Sequence, residues 1–324
     1  MPRIGLALSG GSIRGAAHVG ALKCLHDHGI KPDVVAGTSA GSVVAGLYAS
    51  GLSPEDLVRV ACELTPSKIF DIFSPIVVMA IFAKAVGEAM CGHARLLKWA
   101  PSGIMKGQKL EAFLRTKGIA SSFEKMRLPC IVTAVEIDTG RKVLFTDRAT
   151  AEKLNLRYKL RRSRTIAVCD VQPAEAIRAS CAIPGLFVPK RINGMQLVDG
   201  GIKDNLPLEP IDLLGCDVLI GIDLGYSGER REGIDNIAEV VSQSIDIMAQ
   251  QSVCLSAEML RNRYRERLIR VLPRIYDVGL FDTGRIEECI DRGYQAMRKA
   301  LPALLRITRA ARRACFVGSV ILEA

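Results

Sequence analysis

Several features of specialised proteins are missing from this 324-residue chain. Its ten cysteines are scattered from Cys24 to Cys315 with no C-x-x-C pair. Zinc ribbons and fingers need close pairs, so no metal site is expected, and thiols set among apolar neighbours fit a reduced, cytosolic protein. No apolar run reaches spanning length: the longest, Ile76 to Ala83, stops at Lys84, well short of the ~20 residues a membrane helix requires. Ile4–Leu8 is too short for the core of a signal peptide, so a cytoplasmic location is expected. Aromatic residues make up 5% of the chain, without a nucleic-acid-binding signature, so no nucleic-acid partner is expected. Histidine is scarce: His18, His26, His28 and His93, with none later. A hydrolase triad in the order Ser, acid, His starting at Ser39 would need its acid crowded into the irregular segment before His93, so a conventional triad is not expected.

What is present is a chain long enough for a sizeable core. Hydrophobic residues are 49% and charged residues 24%, which excludes intrinsic disorder. The net charge of +10 favours anionic partners, phospholipid head groups among them. Short β-branched runs alternate with helical patterns, which predicts an α/β fold with a mainly parallel sheet covered on both faces. Strands are expected at Ile4–Leu8, Val34–Ala36, Cys130–Ile137, Lys142–Thr146 and Val218–Asp223, with a hairpin turning at Asn193-Gly194. Long helices are expected near Ile237–Arg265 and Ile286–Leu305. No linker divides the chain, so a single domain over 1–324 is expected: a core of about 4–225, an irregular cap or lid at about 66–107 and a helical region at about 234–324.

Three segments carry chemistry. Gly37-Thr38-Ser39-Ala40-Gly41 fits G-x-S-x-G between a predicted strand and a predicted helix, the setting of a nucleophile elbow. Its flanking glycines, Gly37 and Gly41, leave room where the turn is crowded. By itself the pentapeptide also describes a glycine turn whose serine caps a helix. Ser9-Gly10-Gly11-Ser12-Ile13-Arg14-Gly15 follows the first strand, and Ala16-Ala17 stand where a phosphate loop needs Lys and Ser or Thr. No residue is left there to hold a nucleotide and its magnesium. What remains is a loop of backbone N–H groups, which suits either an oxyanion hole or a tight structural turn. Val198-Asp199-Gly200-Gly201 ends a hairpin strand, where Asp-Gly-Gly alone reads as a turn.

Taken with Ala179-Ser180-Cys181-Ala182-Ile183-Pro184, these blocks resemble the patatin-like phospholipase family, in its compact bacterial form, over roughly residues 4 to 225. The resemblance implies a three-layer α/β/α fold and a Ser–Asp dyad, with Ser39 as nucleophile and Asp199 as general base, and no cofactor. It also implies an oxyanion hole in the loop of Gly10, Gly11 and Ser12, with Arg14 beside it as an electrostatic or loop-ordering element. The family commonly has a third glycine where this chain has Ser12. If that position needs a positive φ, the serine costs about 1 kcal/mol or more.

A lone carboxylate can serve as base if it takes the serine proton only as attack proceeds, in a dry site. Apolar Leu197, Val198 and Ile202 around Asp199 favour a raised pKa. The expected reaction is hydrolysis of a fatty acyl ester or phospholipid through an acyl-enzyme, with acyl transfer or a catalytically weak lipid-binding module as alternatives. The segment 66–107, with Phe70, Phe73 and Ile76–Ala83, is the expected acyl pocket or lid, or else an extra core helix. Arg306, Arg309, Arg312 and Arg313 mark a tail that could touch anionic lipid at the inner membrane face, or simply a solvated helix face. Lys159, Arg161, Arg162 and Arg164 read as a surface loop.

Overall fold

Five apolar residues, Ile4–Leu8 (β1), form an interior strand of a nine-stranded sheet, buried on both faces. The computed structural model describes residues 2–69, 71, 102–225, 228, 234–235, 237–264, 267–279 and 282–320. After β1 the chain makes a 3-10 turn, Ser12–Gly15, and enters α1 (Ala16–Asp27). It returns through β2 (Val34–Thr38) to α2 (Ala40–Ala49) and α3 (Pro54–Cys62). Ser53 and Asp56 form a reciprocal capping box at the start of α3. Short α4 (Pro66–Ile69), β3 (Gly103–Met105) and α5 (Gln108–Thr116) precede β4 (Cys130–Glu136) and β5 (Arg141–Phe145).

The second half adds α6 (Arg148–Leu160), β6 (Thr165–Val168), α7 (Pro173–Ser180), β7 (Gly185–Phe187), β8 (Lys190–Ile192) and β9 (Met195–Asp199). There follow α8 (Leu208–Leu213), β10 (Val218–Ile222), α9 (Ile237–Tyr264), β11 (Leu268–Val271) and α10 (Ile286–Val320). The strand order is β11-β10-β1-β2-β4-β5-β6, with β9 and β8 branching from β4. The pairs β11–β10, β10–β1, β1–β2, β2–β4 and β5–β6 are parallel, while β4–β5, β4–β9 and β8–β9 are antiparallel. A separate two-stranded parallel sheet joins β3 to β7.

Side chains alternate across the sheet and define two apolar layers. Leu6 and Leu8 pack with α1, α2 and the apolar face of α10. Ala7, on the other face, packs with Leu154 and Tyr158 of α6, Ile211 of α8 and Val253 of α9. The fold is therefore α/β/α in three layers, with a mostly parallel central sheet. On the first face α1 and α10 lie in backbone contact: a Cβ on Gly20 would come within 1.8 Å of the Ile290 carbonyl oxygen, and one on Gly293 within 2.0 Å of that of Ala17.

Several elements depart from expectation. The α6–β6 unit was not anticipated; Lys159 belongs to the last turn of α6, with Arg161 as its C-cap and Arg162 at φ 52° in the turn beyond. The helix expected to stop at Leu305 continues through Pro302 to Val320. Of the expected 66–107 insertion, residues 72–101, which include Phe73 and Ile76–Ala83, lie outside the described residues, as do Phe70, the side chains of 312–320, and 321–324. Among the described residues no helix is long and apolar enough to cross a membrane.

Candidate active site

The register of β4 brings Ser39 and Asp199 together. Thr38, the last residue of β2, pairs with Thr133, and Asp199, the last residue of β9, pairs with the next position, Ala134. One strand arrives parallel and the other antiparallel along the same edge of β4, so their carboxyl ends meet. Both residues are buried, at 6% and 5% exposure. The Ser39 hydroxyl stands against the Asp199 carboxylate closely enough for a side-chain hydrogen bond to favour the ionised acid.

Ser39 has φ 52° and ψ −125°, a strained conformation for a residue with a side chain, between the end of β2 and the first turn of α2. The turn is as crowded as the glycines predict. A Cβ on Gly37 would lie 2.3 Å from the Gly41 carbonyl oxygen, and one on Gly41 would lie 2.2 Å from that of Leu8. Further hydrogen bonds fix the elbow. The Ser39 N–H donates to Ser180 Oγ at 2.8 Å, and the Ser180 hydroxyl donates to the Thr133 carbonyl at 2.6 Å. The Ser42 hydroxyl donates to the Ser39 carbonyl at 2.6 Å, and that of Thr38 donates to the Asp204 carbonyl at 2.9 Å.

Burial raises the pKa of Asp199 to about 6, against the opposing pull of the Ser39 hydroxyl and the Gly201 N–H. That N–H donates to Asp199 Oδ1 at 2.8 Å, and the Asp199 N–H donates to the Ala182 carbonyl at 2.9 Å. The Ala-Ser-Cys-Ala segment thus reaches both partners, through Ser180 to Ser39 and through Ala182 to Asp199.

The glycine loop covers the same spot, and its members divide the work differently from expectation. The Gly10 N–H donates to the carbonyl and to Oδ1 of Asn205, at 3.2 and 3.1 Å. It holds the loop to the segment after Asp199 and is not available to an oxyanion, which narrows the expected donors to the amides of Gly11 and Ser12. Ser12 has φ 53°, the left-handed region in which glycine is at home. Arg14, 4% exposed, ties the loop to the segment after β11: Nε donates to the Val278 carbonyl at 2.8 Å, Nη2 to that of Tyr276 at 3.4 Å, and the guanidinium stacks 5.1 Å over the Tyr276 ring. Of its two expected roles, ordering the loop is the one its contacts serve.

His18, fully buried on α1, donates from Nε2 to the Ser9 carbonyl at 2.8 Å. Burial lowers its pKa to about 4, so it is a neutral prop beneath the loop. Neither Ser180, Asn205 nor His18 was singled out for a role by the sequence. Ser180 lies within the Ala179–Pro184 block of the family pattern, but nothing in one sequence distinguishes a prop from a bystander.

Two cavities meet at Ser39. One, of about 340 Å³, holds Asp199 and the glycine loop and is walled by Ile104 of β3, Leu186 of β7, and Ile245 and Ala249 of α9. The other, of about 120 Å³, is almost wholly apolar and runs between α2, α3 and α5, past Val43, Leu47, Leu57, Val60, Ala61 and Phe113. An apolar pocket was expected in 66–107; the described apolar cavity is formed largely by flanking helices, with Ile69 as a contribution from the start of that segment.

Comparison with known proteins agrees with this architecture. A family model described as patatin-like phospholipase matches residues 6–212. An uncharacterised NTE family protein of Mycobacterium tuberculosis (strain H37Rv) is 29% identical over 238 residues, covering 73% of this chain and 53% of that protein. Lysophospholipase NTE1 of Kluyveromyces lactis is 28% identical over 309 residues, covering 90% of this chain and 18% of that one. The chain thus spans about half the length of the mycobacterial relative and under a fifth of the yeast one. Among solved structures, VipD from Legionella pneumophila shares the fold, with a TM-score of 0.50 and 16% identity, over 93% of this chain and 67% of that one. With the family model spanning both motif-bearing strands and the Asp-Gly-Gly turn, the chain belongs to the patatin-like phospholipase family.

Proposed function

We propose that this protein is a serine acyl-ester hydrolase acting on fatty acyl lipids, of the phospholipase A or lysophospholipase type. The observation that carries the reading is the meeting of a strained serine and a buried carboxyl of raised pKa at the junction of two cavities, one of them apolar. The lysophospholipase name of the yeast relative supports the substrate class.

In this mechanism the acyl chain enters the apolar cavity and the ester carbonyl comes to rest over Ser39. Asp199 takes the Ser39 proton as Oγ attacks, and the amides of Gly11 and Ser12 with the first turn of α2 stabilise the oxyanion. Collapse of the tetrahedral intermediate expels the alcohol, which recovers its proton from Asp199. Water, deprotonated by the same carboxylate, then releases the fatty acid. An alkoxide leaving group needs one proton from one acid, which the dyad holds, so esters suit it. Exposed Ile247, Met248, Leu255 and Met259 on α9, beside the cavity wall formed by Ile245 and Ala249, support uptake of substrate from a lipid surface.

The test is turnover of p-nitrophenyl acyl esters and a lysophospholipid by purified Ser39→Ala and Asp199→Asn. Each variant is expected to lose at least 100-fold in kcat while keeping the circular dichroism of the parent. Retention of full activity by either folded variant overturns the dyad.

A further inference from the structure

Beyond the carboxyl ends of β10 and β11 lies a cavity of about 930 Å³ that the proposed chemistry leaves unused. In α/β sheets, ligands bind outside the carboxyl ends of the strands. Gly225 and Tyr276 line both this cavity and the one that holds Ser39 and Asp199, so the two adjoin. The charged groups of its wall are Asp223, Arg270, Arg274, Asp291, Arg292 and Lys299.

These charges do not cancel. Asp223, 1% exposed, is occupied by Arg270, whose Nε donates to it at 2.8 Å. Arg292 is held by Asp277, at 2.5 Å, and by Glu288. Asp291 accepts a long 3.4 Å bond from Gln295. Arg274 and Lys299 remain, both exposed, with Asp291 as the opposing carboxylate, so cations still outnumber anions; among the described residues neither Arg274 nor Lys299 has a salt-bridge partner. Two cations on one concave wall raise the positive potential in the space between them. A guanidinium offers paired donors to phosphate oxygens, and an ammonium adds a mobile point charge.

We propose that this cavity binds a phosphate ester, the head group of the same acyl substrate whose carbonyl meets Ser39, through Arg274 and Lys299. The inference rests on the acyl-ester hydrolase reading, and it makes the protein selective for phospholipid over neutral acylglycerol. In a lysophospholipid the phosphate is only a few bonds from the ester carbonyl, which fits two cavities that share a wall.

The test compares the full chain with its Arg274→Ala/Lys299→Ala variant on palmitoyl lysophosphatidylcholine and on monopalmitoylglycerol. Both side chains are exposed, so the variant is expected to fold, and melting curves check this. The expected result is that kcat/KM falls at least tenfold more for the phosphate-bearing substrate, mainly through KM, and that glycerophosphate inhibits the variant at least tenfold more weakly. Arg274→Lys should restore part of the loss. A phosphate-bearing ligand separate from the substrate would show instead as a glycerophosphate effect on monopalmitoylglycerol turnover that the variant lacks, with no discrimination between substrates; that result overturns the head-group assignment. Equal losses on both substrates with no effect of glycerophosphate overturn the site itself. Should the parent turn over no ester, the hydrolase reading fails separately. Calorimetry of glycerophosphate with Ser39→Ala, in the presence and absence of the double substitution, then decides the phosphate site, and equal binding overturns it.

Discussion

A carboxyl that must take a proton and give it back works best with a pKa near the working pH. Asp199 reaches about 6 through burial. In the proposed reaction its ionised form is the base, so kcat/KM should fall tenfold per unit as pH drops below about 6, and a pH–rate profile flat down to pH 4 would remove it from that role. Stability runs the other way. A raised carboxyl stabilises the fold below the unfolded pKa, 3.8, and that contribution is lost as pH rises through the folded value. Asp199→Asn escapes the burial of charge, so urea melts at pH 8 should show it more stable by about 2–3 kcal/mol, with the gap closing near pH 4. Ser12 is the second residue with a stated consequence. Its φ of 53° is the positive value that the family glycine foreshadowed. Ser12→Gly should raise stability by about 0.5–1 kcal/mol, since relief of left-handed strain outweighs the added freedom of the unfolded chain. A loss of stability in the urea melt would contradict this.

At the level of elements, the elbow works because β2 hands over to α2 with no room to spare. Gly41→Ala pushes a methyl group into the carbonyls of Leu8, at the end of β1, and of Ser9 beyond it. It should cost about 2–4 kcal/mol by thermal melt and most of the activity, whereas Ala40→Gly should leave the turn open. The apolar cavity makes a different demand on α3. Ala61→Phe fills it from the side and should depress hydrolysis of palmitoyl esters at least tenfold more than that of butyryl esters; an unchanged chain-length profile would place the acyl chain elsewhere. The elements that carry these sites were legible because their signals are local: β-branched runs ending in glycine, and Asn193-Gly194 between two short strands. The α6–β6 unit was not. RATAEKLNLRYKL has little apolar periodicity and leaves Leu156 and Leu160 exposed, and β6 is only four residues of alternating burial. In β11, Arg270 interrupts the apolar run, because its partner is Asp223, 47 positions away.

For the molecule as a whole, layer count and sheet type followed from alternation of strands with helices, and the proposed pairing of Ser39 with Asp199 from motifs set against a family pattern. The path by which Asp199 approaches Ser39 did not, since it depends on β9 sharing an edge of β4 with β2. The same holds for the props. Lys142 of β5, 8% exposed in its side chain, bonds Asp204 and Glu209 at 2.8 Å each, and the Asp204 carbonyl in turn accepts from Thr38 beside Ser39. Burial pulls the Lys142 pKa down, but these two carboxylates outweigh it and keep the ammonium charged. Lys142→Met would leave Asp204 buried and unpaired; a loss of about 3–5 kcal/mol in urea melts is expected.

The position of β1 also governs how the chain can be made. Arg3, beside β1, bonds Asp217, beside β10, across 214 positions, and β1 needs both β2 and β10 to complete its pairing. A nascent chain leaving the ribosome therefore exposes β1 with one side unmatched until β10, on the far side of most of the other strands in sequence, has been made. Until then that apolar edge is open to pairing with neighbouring polypeptides, an aggregation hazard that follows from the connectivity itself.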